Sequence, residues 1–324
     1  MSDLHGSPSQ APAPAATVGK AAAAEGKLTL QPDGPSVVAL GGGHGLSVVL
    51  QAARQYAGTV TAVVSVADDG GSSGRLRRDF GVPAPGDLRK CLVELAGSET
   101  VWRDAFEYRF GGGELGGHAL GNLVIVGLTE TLGDFTAALD EAAGLLRAVG
   151  RVLPATTDVV VLKADVEGEA VEGQVAVQNS RGRIRRVELV PGDAAASPDA
   201  VAAIERADQV ILGPGSLYTS LLPVLCVRDL RAAVRRASGR VVQVSNLRPQ
   251  HPETAGLDAT DHLRAVREHG ARVDAFLYQS SGALAADEAV IRGWEVEPVG
   301  GDVARHDGLL HDPAKLAMAL RALL

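Results

Sequence analysis

Several short segments of the chain combine glycine with small polar or acidic residues, next to apolar runs that are typical of strands and helices. Such segments bind anions, because glycine lets backbone amides approach a phosphate closely. The candidate binding residues are Gly41, Gly42, Gly43, His44, Gly45, Asp68, Asp69, Gly70, Gly71, Ser72, Ser73, Gly74, Asp87, His118, Asn122, Gly213, Pro214, Gly215, Ser216, Tyr218, Thr219 and Asn246. Together they predict a cleft for a ligand that carries a diphosphate and a sugar.

The first glycine loop, residues 41–45, follows the apolar run 36–40 and precedes a helical pattern over residues 46–56. A strand, a glycine loop and a helix in this order point the amides of the helix N-terminus at a bound phosphate. The loop lacks the Lys-Ser/Thr pair of a Walker A loop, and Leu46 stands where the last glycine of G-x-G-x-x-G belongs. A tight turn needed only for packing is the alternative interpretation.

Two adjacent carboxylates, Asp68 and Asp69, stand at the end of the second predicted strand, residues 59–66. A carboxylate at this place accepts hydrogen bonds from ribose hydroxyls or holds a hydrated Mg²⁺ beside phosphates. The loop continues with further donors at residues 72–74, although Asp-Asp-Gly-Gly by itself also forms a turn. Nearby arginines either form a solvated face or offset ligand phosphates, namely Arg75, Arg77, Arg78 and Arg89.

Three other polar residues, His118, Asn122 and Ser216, are candidates for a catalytic role. His118 and Asn122 precede or begin an apolar helix over residues 123–132, where they either line the site or serve the structure. Ser216 does not fit a G-x-S-x-G nucleophile elbow, because Tyr218 occupies the position of the second glycine. We expect Ser216 to contact phosphate or sugar. No nucleophile and base stand in a recognisable motif, so the sequence favours binding over turnover and predicts no catalytic residue.

The elements that must position these residues read as alternating strands and helices. Apolar runs at 36–40, 59–66, 209–212, 240–244 and 273–277 each end in a glycine-rich or small polar loop. Strands that are apolar throughout indicate a parallel sheet covered on both faces, and ligands bind at the carboxyl ends of such strands. We therefore predict an α/β, Rossmann-like fold with a mostly parallel sheet and one shared cleft.

The rest of the chain is organised around this sheet. Residues 1–35 are rich in Ala, Pro, Gly and Ser and predict a disordered tail, and residues 36–324 predict a single α/β domain. An antiparallel β insertion is expected at about 157–190, from apolar runs at 159–162, 171–177 and 184–190. Asp87 is expected to cap a helix over residues 88–96.

Composition excludes several classes of protein. The chain has 324 residues, a net charge of −8 and 46% hydrophobic residues, without an apolar run of the ~20 residues that a membrane helix needs. The acidic balance argues against a general nucleic-acid surface. Cys91 and Cys226 supply neither a disulfide framework nor a four-ligand metal site, and we expect both to be buried thiols.

Five motifs in register resemble the YvcK group of the YvcK/CofD family. They are Gly-Gly-Gly-His-Gly-Leu at 41–46, Ala-Asp-Asp-Gly-Gly-Ser-Ser-Gly-Arg-Leu-Arg at 67–77, Pro-Gly-Asp-Leu-Arg at 85–89, Gly-His-Ala-Leu-Gly-Asn-Leu at 117–123 and Gly-Pro-Gly-Ser-Leu-Tyr-Thr-Ser at 213–220. The order and spacing cover nearly all of residues 36–324. The chain differs from the usual Gly-Gly-Gly-Thr-Gly at His44. It also has Leu310 where many members have an arginine before His-Asp-Pro, and Arg305, which precedes His306-Asp307, is a candidate substitute.

The resemblance implies a cytoplasmic bacterial protein of the gluconeogenesis-factor type, which binds UDP-sugars such as UDP-N-acetylglucosamine and supports cell shape and envelope precursor synthesis. It implies an amino-sugar biosynthetic enzyme as partner, and we expect a homo-oligomer. The CofD branch implies a first alternative, a Mg²⁺-dependent phospholactyl transferase in which Asp68 and Asp69 stand beside the metal. A scaffold that binds NAD without turnover is the second alternative.

Overall fold

The computed structural model describes residues 30–97 and 101–324. Most of the predicted tail, residues 1–29, lies outside the described residues. Residues 30–35, which we assigned to the tail, form a turn held by hydrogen bonds from Gln31 N–H to the Ala57 carbonyl (2.8 Å) and from Gly58 N–H to the Pro35 carbonyl (2.8 Å). Leu30 packs against the core. Residues 30–35 are therefore packed on the α/β domain.

The chain alternates strands and helices. The strands are β1 (Ser36–Gly41), β2 (Thr59–Val64), β3 (Arg151–Pro154), β4 (Val161–Val166), β5 (Glu169–Glu172), β6 (Ile184–Val190), β7 (Gln209–Leu212), β8 (Arg240–Val244), β9 (Ala275–Gln279) and β10 (Glu297–Gly301). The helices are α1 (Gly43–Ala53), α2 (Gly71–Phe80), α3 (Gly86–Glu94), α4 (Val101–Glu107), α5 (Leu120–Leu132), α6 (Phe135–Leu146), α7 (Gln174–Gln178), α8 (Pro198–Arg206), α9 (Leu222–Cys226), α10 (Arg228–Arg236), α11 (Ala259–Glu268), α12 (Glu288–Gly293) and α13 (Pro313–Arg321). A π-helical segment, Leu217–Leu221, runs directly into α9.

Seven strands form one parallel sheet in the order β10-β9-β8-β7-β1-β2-β3. The strand β1 pairs with β2 on one side and with β7 on the other, so the direction of winding reverses at β1. Ligands of open α/β sheets bind at this kind of reversal, outside the carboxyl ends of the strands. The predicted Rossmann-like fold is confirmed, and the reversal lies between the loops that begin at Gly41 and Gly213.

The interior strands are buried along nearly their whole length, which is why they read as continuous apolar runs. The helices α1, α3 and α13 pack together, while α8 and α10 form a second packed pair. The two outermost strands, β3 and β10, were not predicted. They are short edge strands, and Pro298, Gly300 and Gly301 give β10 a composition unlike that of a buried strand.

The antiparallel insertion is confirmed as a three-stranded sheet in the order β5-β4-β6. Our expectation of a strand over residues 171–177 is only partly right, because β5 ends at Glu172 and α7 begins at Gln174. Gly173 causes the change: it has a φ of 97°, which leaves the extended conformation and starts the helix.

Two helix starts also differ from expectation. Residues 68–74 do not form one loop, because α2 begins at Gly71 and takes in Ser72, Ser73 and Gly74. The helix α3 begins at Gly86 with Pro85 as its N-cap residue, so Asp87 lies in the first turn and its side chain makes no capping hydrogen bond. The Asp87 carboxylate instead accepts a hydrogen bond from the side chain of Lys90.

Candidate functional site

The two glycine loops at the strand reversal are in backbone contact. A Cβ atom built on Gly45 would lie 2.2 Å from the Pro214 carbonyl oxygen and 2.6 Å from Gly215 Cα. Any side chain at position 45 would therefore push the two loops apart. The close approach joins the loop after β1 to the loop after β7, and the two together form one wall of a cleft.

The N-terminus of α1 opens into this cleft. The amides in the first turn of a helix have no partner within the helix, and the N-cap residue Gly42 has no side chain that could satisfy them. Gly43 has a φ of 60°, a conformation that glycine adopts without strain. The amides and the helix dipole together present partial positive charge, which favours a phosphate at this position.

The cleft has a volume of about 420 Å³ and a predominantly polar lining. The sequence-predicted residues in the lining are Gly42, Gly43, His44, Gly45, Asp68, Gly70, Asp87, Gly215, Ser216 and Thr219. The lining residues that sequence reasoning missed are Ser65, Lys90, Gln174, Val175, Gln178, Ser220 and Gln250. The volume suits a ligand of nucleotide size.

Asp68 and Asp87 place two carboxylates at the cleft beside a single lysine. Asp87 Oδ1 accepts a hydrogen bond from Lys90 Nζ at 2.9 Å, and Asp87 Oδ2 lies 2.6 Å from where a Cβ atom of Gly42 would stand. Asp68 Oδ1 accepts from Gly70 N–H at 2.9 Å. Burial raises the pKa of Asp68, and the charge of Asp87 adds to that effect. A cation at this position would offset the repulsion between the two carboxylates.

Asp69, although adjacent to Asp68, has a different role. Its two carboxylate oxygens accept from Gln174 N–H and Val175 N–H, both at 3.0 Å, at the start of α7. Asp69 is not among the cleft-lining residues. Its hydrogen bonds dock the insertion on the main sheet, and this docking brings Gln174 and Gln178 to the cleft.

Two polar side chains fix the loop after β7. Asn246 accepts from Gly215 N–H and donates to the Gly215 carbonyl, both at 2.9 Å. Glu253, only 4% exposed, accepts from Tyr218 N–H (2.8 Å), Thr219 N–H (3.2 Å) and the Thr219 hydroxyl (3.2 Å). Burial raises the pKa of Glu253, while these hydrogen bonds lower it. Asn246 and Glu253 therefore hold the loop, and the amides of Tyr218 and Thr219 are already occupied.

A second lobe of about 340 Å³ adjoins the cleft, since both are lined by His44, Gly45, Gly215 and Gln250. Its other lining residues include Pro214, Asn246, Arg248, Arg305, Leu310 and His311. Burial lowers the pKa of His311 to about 4, so the ring is neutral near pH 7. This lobe contains Leu310, which stands where many family members have an arginine. It also contains Arg305, the candidate substitute for that arginine.

Ser72, His118 and Asn122 meet in a buried network away from the lining of the cleft. Ser72 Oγ lies 3.0 Å from His118 Nδ1, and Asn122 Nδ2 donates to Ser72 Oγ at 3.0 Å. Burial lowers the pKa of His118. The network ties α2 to the start of α5, so it supports the segment that carries Gly70. The predicted residues outside the linings of both lobes are Gly41, Asp69, Gly71, Ser72, Ser73, Gly74, His118, Asn122, Gly213 and Tyr218.

The arginines near the second motif do not line either lobe. Arg75, Arg77 and Arg89 donate to the backbone carbonyls of Gly116, Val160 and Phe106 at 2.8, 2.8 and 3.0 Å. They connect loops and strands of the fold. The cation that lines the main cleft is instead Lys90. It lies three residues after Asp87, a spacing that places the two side chains next to each other on a helix, so the sequence contained a signal for this pair.

Within residues 30–97 and 101–324, no three His, Cys, Asp or Glu residues cluster in a way that could hold a metal ion by themselves. No helix of the described chain is long and apolar enough to cross a membrane. The cysteines are free, with Cys91 buried and Cys226 partly buried.

Comparison with known proteins gives consistent matches. A family model described as 2-phospho-L-lactate transferase CofD matches residues 37–307. The gluconeogenesis factors of Bacillus subtilis and Halalkalibacterium halodurans are each 42% identical over 72% of this chain, which is 75% and 73% of their own lengths. A protein of Mycobacterium leprae is 44% identical over 88% of this chain and 85% of its own length. The crystal structure of a UPF0052-family protein from Bacillus halodurans matches with a TM-score of 0.86 at 34% identity, covering 89% of this chain and 99% of that one.

Proposed function

Because the chain belongs to the YvcK/CofD family, with gluconeogenesis factors among its relatives, we propose that it is a regulator that binds a nucleotide sugar of the UDP-N-acetylglucosamine class. The observation that carries the proposal is the uncapped N-terminus of α1, which opens into a cleft with an adjoining second lobe. The helix N-terminus suits a diphosphate, and the two adjoining lobes suit the sugar and the nucleoside on either side of it.

The two lobes suit different parts of such a ligand. The diphosphate lies against the first turn of α1, where amides and helix dipole favour negative charge. Hydroxyl and amide side chains at Ser216, Ser220, Gln174 and Gln178 suit the hydroxyls of a sugar. Arg305 and Arg248 in the second lobe supply donors for a second polar group of the ligand.

Mg²⁺ fits this cleft as a ligand-linked ion. Mg²⁺ is commonly bound by one or two carboxylates together with phosphate oxygens and waters, and Asp68 and Asp87 provide the carboxylates. In this arrangement the ion neutralises charge between the carboxylates and the diphosphate. Lys90 offsets part of the same charge, through its contact with Asp87.

The regulatory part of the proposal rests on the relatives, whose names associate them with gluconeogenesis. We propose that the protein acts in the cytoplasm as a homo-oligomer and responds to the supply of amino sugars. Its partner is then an amino-sugar biosynthetic enzyme, and the output is cell shape and the supply of envelope precursors. The cleft is built from loops, which are the segments that a ligand orders most readily.

The test is calorimetry of the purified chain with UDP-N-acetylglucosamine, UDP-glucose, NAD and GDP, with and without Mg²⁺. We expect UDP-N-acetylglucosamine to bind in the presence of Mg²⁺ and to be recovered unchanged by mass spectrometry. Preferential binding of NAD would favour the scaffold alternative. The absence of binding by either UDP-sugar would contradict the proposal.

A phospholactyl transferase is the second candidate function, and two observations favour it. The matching family model is described as a transferase, and the cleft holds a carboxylate pair beside a phosphate site. Multiple turnover, detected as released nucleotide or as transferred phospholactyl groups, would establish this activity and overturn the purely regulatory proposal.

A further inference from the structure

A second pocket, of about 510 Å³, lies between the insertion and the main body and shares no lining residue with the cleft. It is formed where β6 meets the end of α9, the start of α10 and the residues that follow α11. Four arginines line it: Arg185 and Arg186 on β6, and Arg228 and Arg231 on α10. In a chain with a net charge of −8, this is an unusual concentration of positive charge.

The charges of this arginine pocket are not balanced by the protein. Four guanidinium groups face two carboxylates, Glu188 and Glu268, and Glu188 already pairs with Lys163 at 3.4 Å. Within the described chain, the guanidinium groups of Arg185, Arg186 and Arg228 have no hydrogen bond or ion pair to protein groups. Like charges held together in a concave site repel one another, and a bound anion relieves that repulsion.

The polar groups of Val187, Cys226 and His269 at the floor of the arginine pocket are already hydrogen-bonded. Val187 N–H donates to His269 Nε2 (3.2 Å), and the Val187 carbonyl accepts from Cys226 Sγ (3.3 Å). Because Nε2 accepts, the ring proton lies on Nδ1, which contacts the Ala265 carbonyl at 2.7 Å. Burial lowers the pKa of His269 and raises that of Cys226 to about 12, so both are neutral near pH 7. The open donors are therefore the guanidinium groups.

Arg231 is held in place for such a role. Its Nη1 donates to the Leu225 carbonyl at 3.1 Å, and its Cδ lies 3.3 Å from where a Cβ atom of Gly270 would stand. A guanidinium group that is already ordered loses less entropy when it binds, and its planar fork fits two phosphate oxygens. Glu268 adds an acceptor that suits a hydroxyl group.

We propose that the arginine pocket binds a small metabolite that carries a phosphate monoester, of about the size of a phosphorylated hexose. Four lining arginines against two lining carboxylates leave an excess of positive charge, which suits a monoester dianion. The volume lies in the range of small-molecule sites and leaves room for a sugar beside the phosphate. This site is independent of the nucleotide-sugar cleft and does not rest on the function proposed for that cleft.

The test is isothermal titration calorimetry of the full chain with three probes: a hexose 6-phosphate, inorganic phosphate and the unphosphorylated hexose. We expect the hexose phosphate to bind with one site per chain, inorganic phosphate to bind more weakly, and the free hexose not to bind. Binding weakens as salt increases, because the attraction is electrostatic. No binding of either phosphate at millimolar concentration would overturn the proposal.

Variants locate the binding. Arg186→Gln and Arg228→Gln remove two guanidinium groups on which no described protein group depends, so we expect the double variant to melt like the parent chain. Each loss weakens binding by about ten-fold. Arg235→Gln, an exposed arginine of α10 outside the pocket, is the matched control and should bind normally. If the double variant binds as tightly as the parent while Gly45→Ala loses the ligand, the phosphate binds in the cleft and the proposal is wrong.

Discussion

The contact between Gly45 and the loop after β7 allows a sharp test of the cleft. In Gly45→Ala, the new Cβ atom would stand 2.2, 2.5 and 2.6 Å from the Pro214 carbonyl oxygen, the Pro214 carbonyl carbon and Gly215 Cα, whereas ordinary contact begins near 3.4 Å. The loops must therefore separate by about 1 Å. Overpacking of this kind costs about 1–3 kcal/mol of unfolding free energy.

The effect on binding should exceed the effect on stability. A displacement of about 1 Å changes the position of the α1 amides relative to the Pro214–Gly215 backbone, so the two can no longer contact the same phosphate group. The loss of two charge-assisted hydrogen bonds, at about 1.5 kcal/mol or more each, lowers affinity for UDP-N-acetylglucosamine by about 100-fold.

The assay is calorimetry at constant Mg²⁺, with urea denaturation to measure the free energy of unfolding. Gly144→Ala is the matched control, because Gly144 lies exposed in α6 and no atom stands within 4 Å of its added Cβ. That control should gain about 0.5–1 kcal/mol in stability from helix propensity and bind normally. If Gly45→Ala binds as tightly as the parent chain, the loop contact does not position the ligand, and our reasoning about the cleft fails.

Three further predictions separate residues that the sequence treats alike. Asp69→Asn removes one acceptor from the start of α7 and should cost about 1 kcal/mol of unfolding free energy. Asp68→Asn keeps its contact with Gly70 and removes a charge that burial disfavours, so at neutral pH its melting temperature should equal or exceed that of the parent chain while Mg²⁺-dependent binding weakens. Equal melting curves for the two variants would contradict this division. Glu253→Ala leaves two buried amides without an acceptor, so it should lower the unfolding free energy by about 2–4 kcal/mol and also weaken nucleotide-sugar binding. Glu253→Gln should restore most of the stability and most of the affinity, measured by the same denaturation and calorimetry. An alanine variant that binds normally would show that the loop does not depend on Glu253. Burial raises the pKa of Asp68 above its ordinary value of 3.8, so acidification toward this raised pKa protonates a carboxylate beside the diphosphate. Affinity for the nucleotide sugar should then rise with acidification in the absence of Mg²⁺ and fall with acidification at saturating Mg²⁺. The same trend with and without Mg²⁺ would show that Asp68 does not face the phosphates.

The sequence predicted the structure best where the signal lies within a single strand. The strands β7 and β8 begin and end at the residues predicted, because a strand buried on both faces reads as a continuous apolar run. The edge strands β3 and β10 lack that signal, and the helix α2 begins inside a run of glycine and serine that reads as a loop. Four of the five motifs, at 41–46, 67–77, 85–89 and 213–220, contribute residues to the lining of the cleft, whereas the motif at 117–123 contributes none.

The candidate site was less predictable, because tertiary packing decides which side chain faces the cleft. Nothing local distinguishes Asp68 from Asp69; the difference arises when the insertion places α7 against Asp69. The contributions of Gln174 and Gln178 come from the same docking. Glu253 follows a proline in a turn, where no local pattern indicates burial, yet it is buried against the π-helical segment.

The position of the last helix bears on the order in which the protein can be completed as it is synthesised. The helix α13 packs against α1, and Gln209 joins Tyr56 (2.5 Å) to the Leu320 carbonyl (2.8 Å), so three distant parts of the chain share one contact. A nascent chain that has released only β1, α1 and β2 from the ribosome lacks both the Pro214 loop and the covering helix. The cleft and its second lobe therefore come into being only after His311 has been translated, and ligand binding reports on a nascent chain that has passed this point.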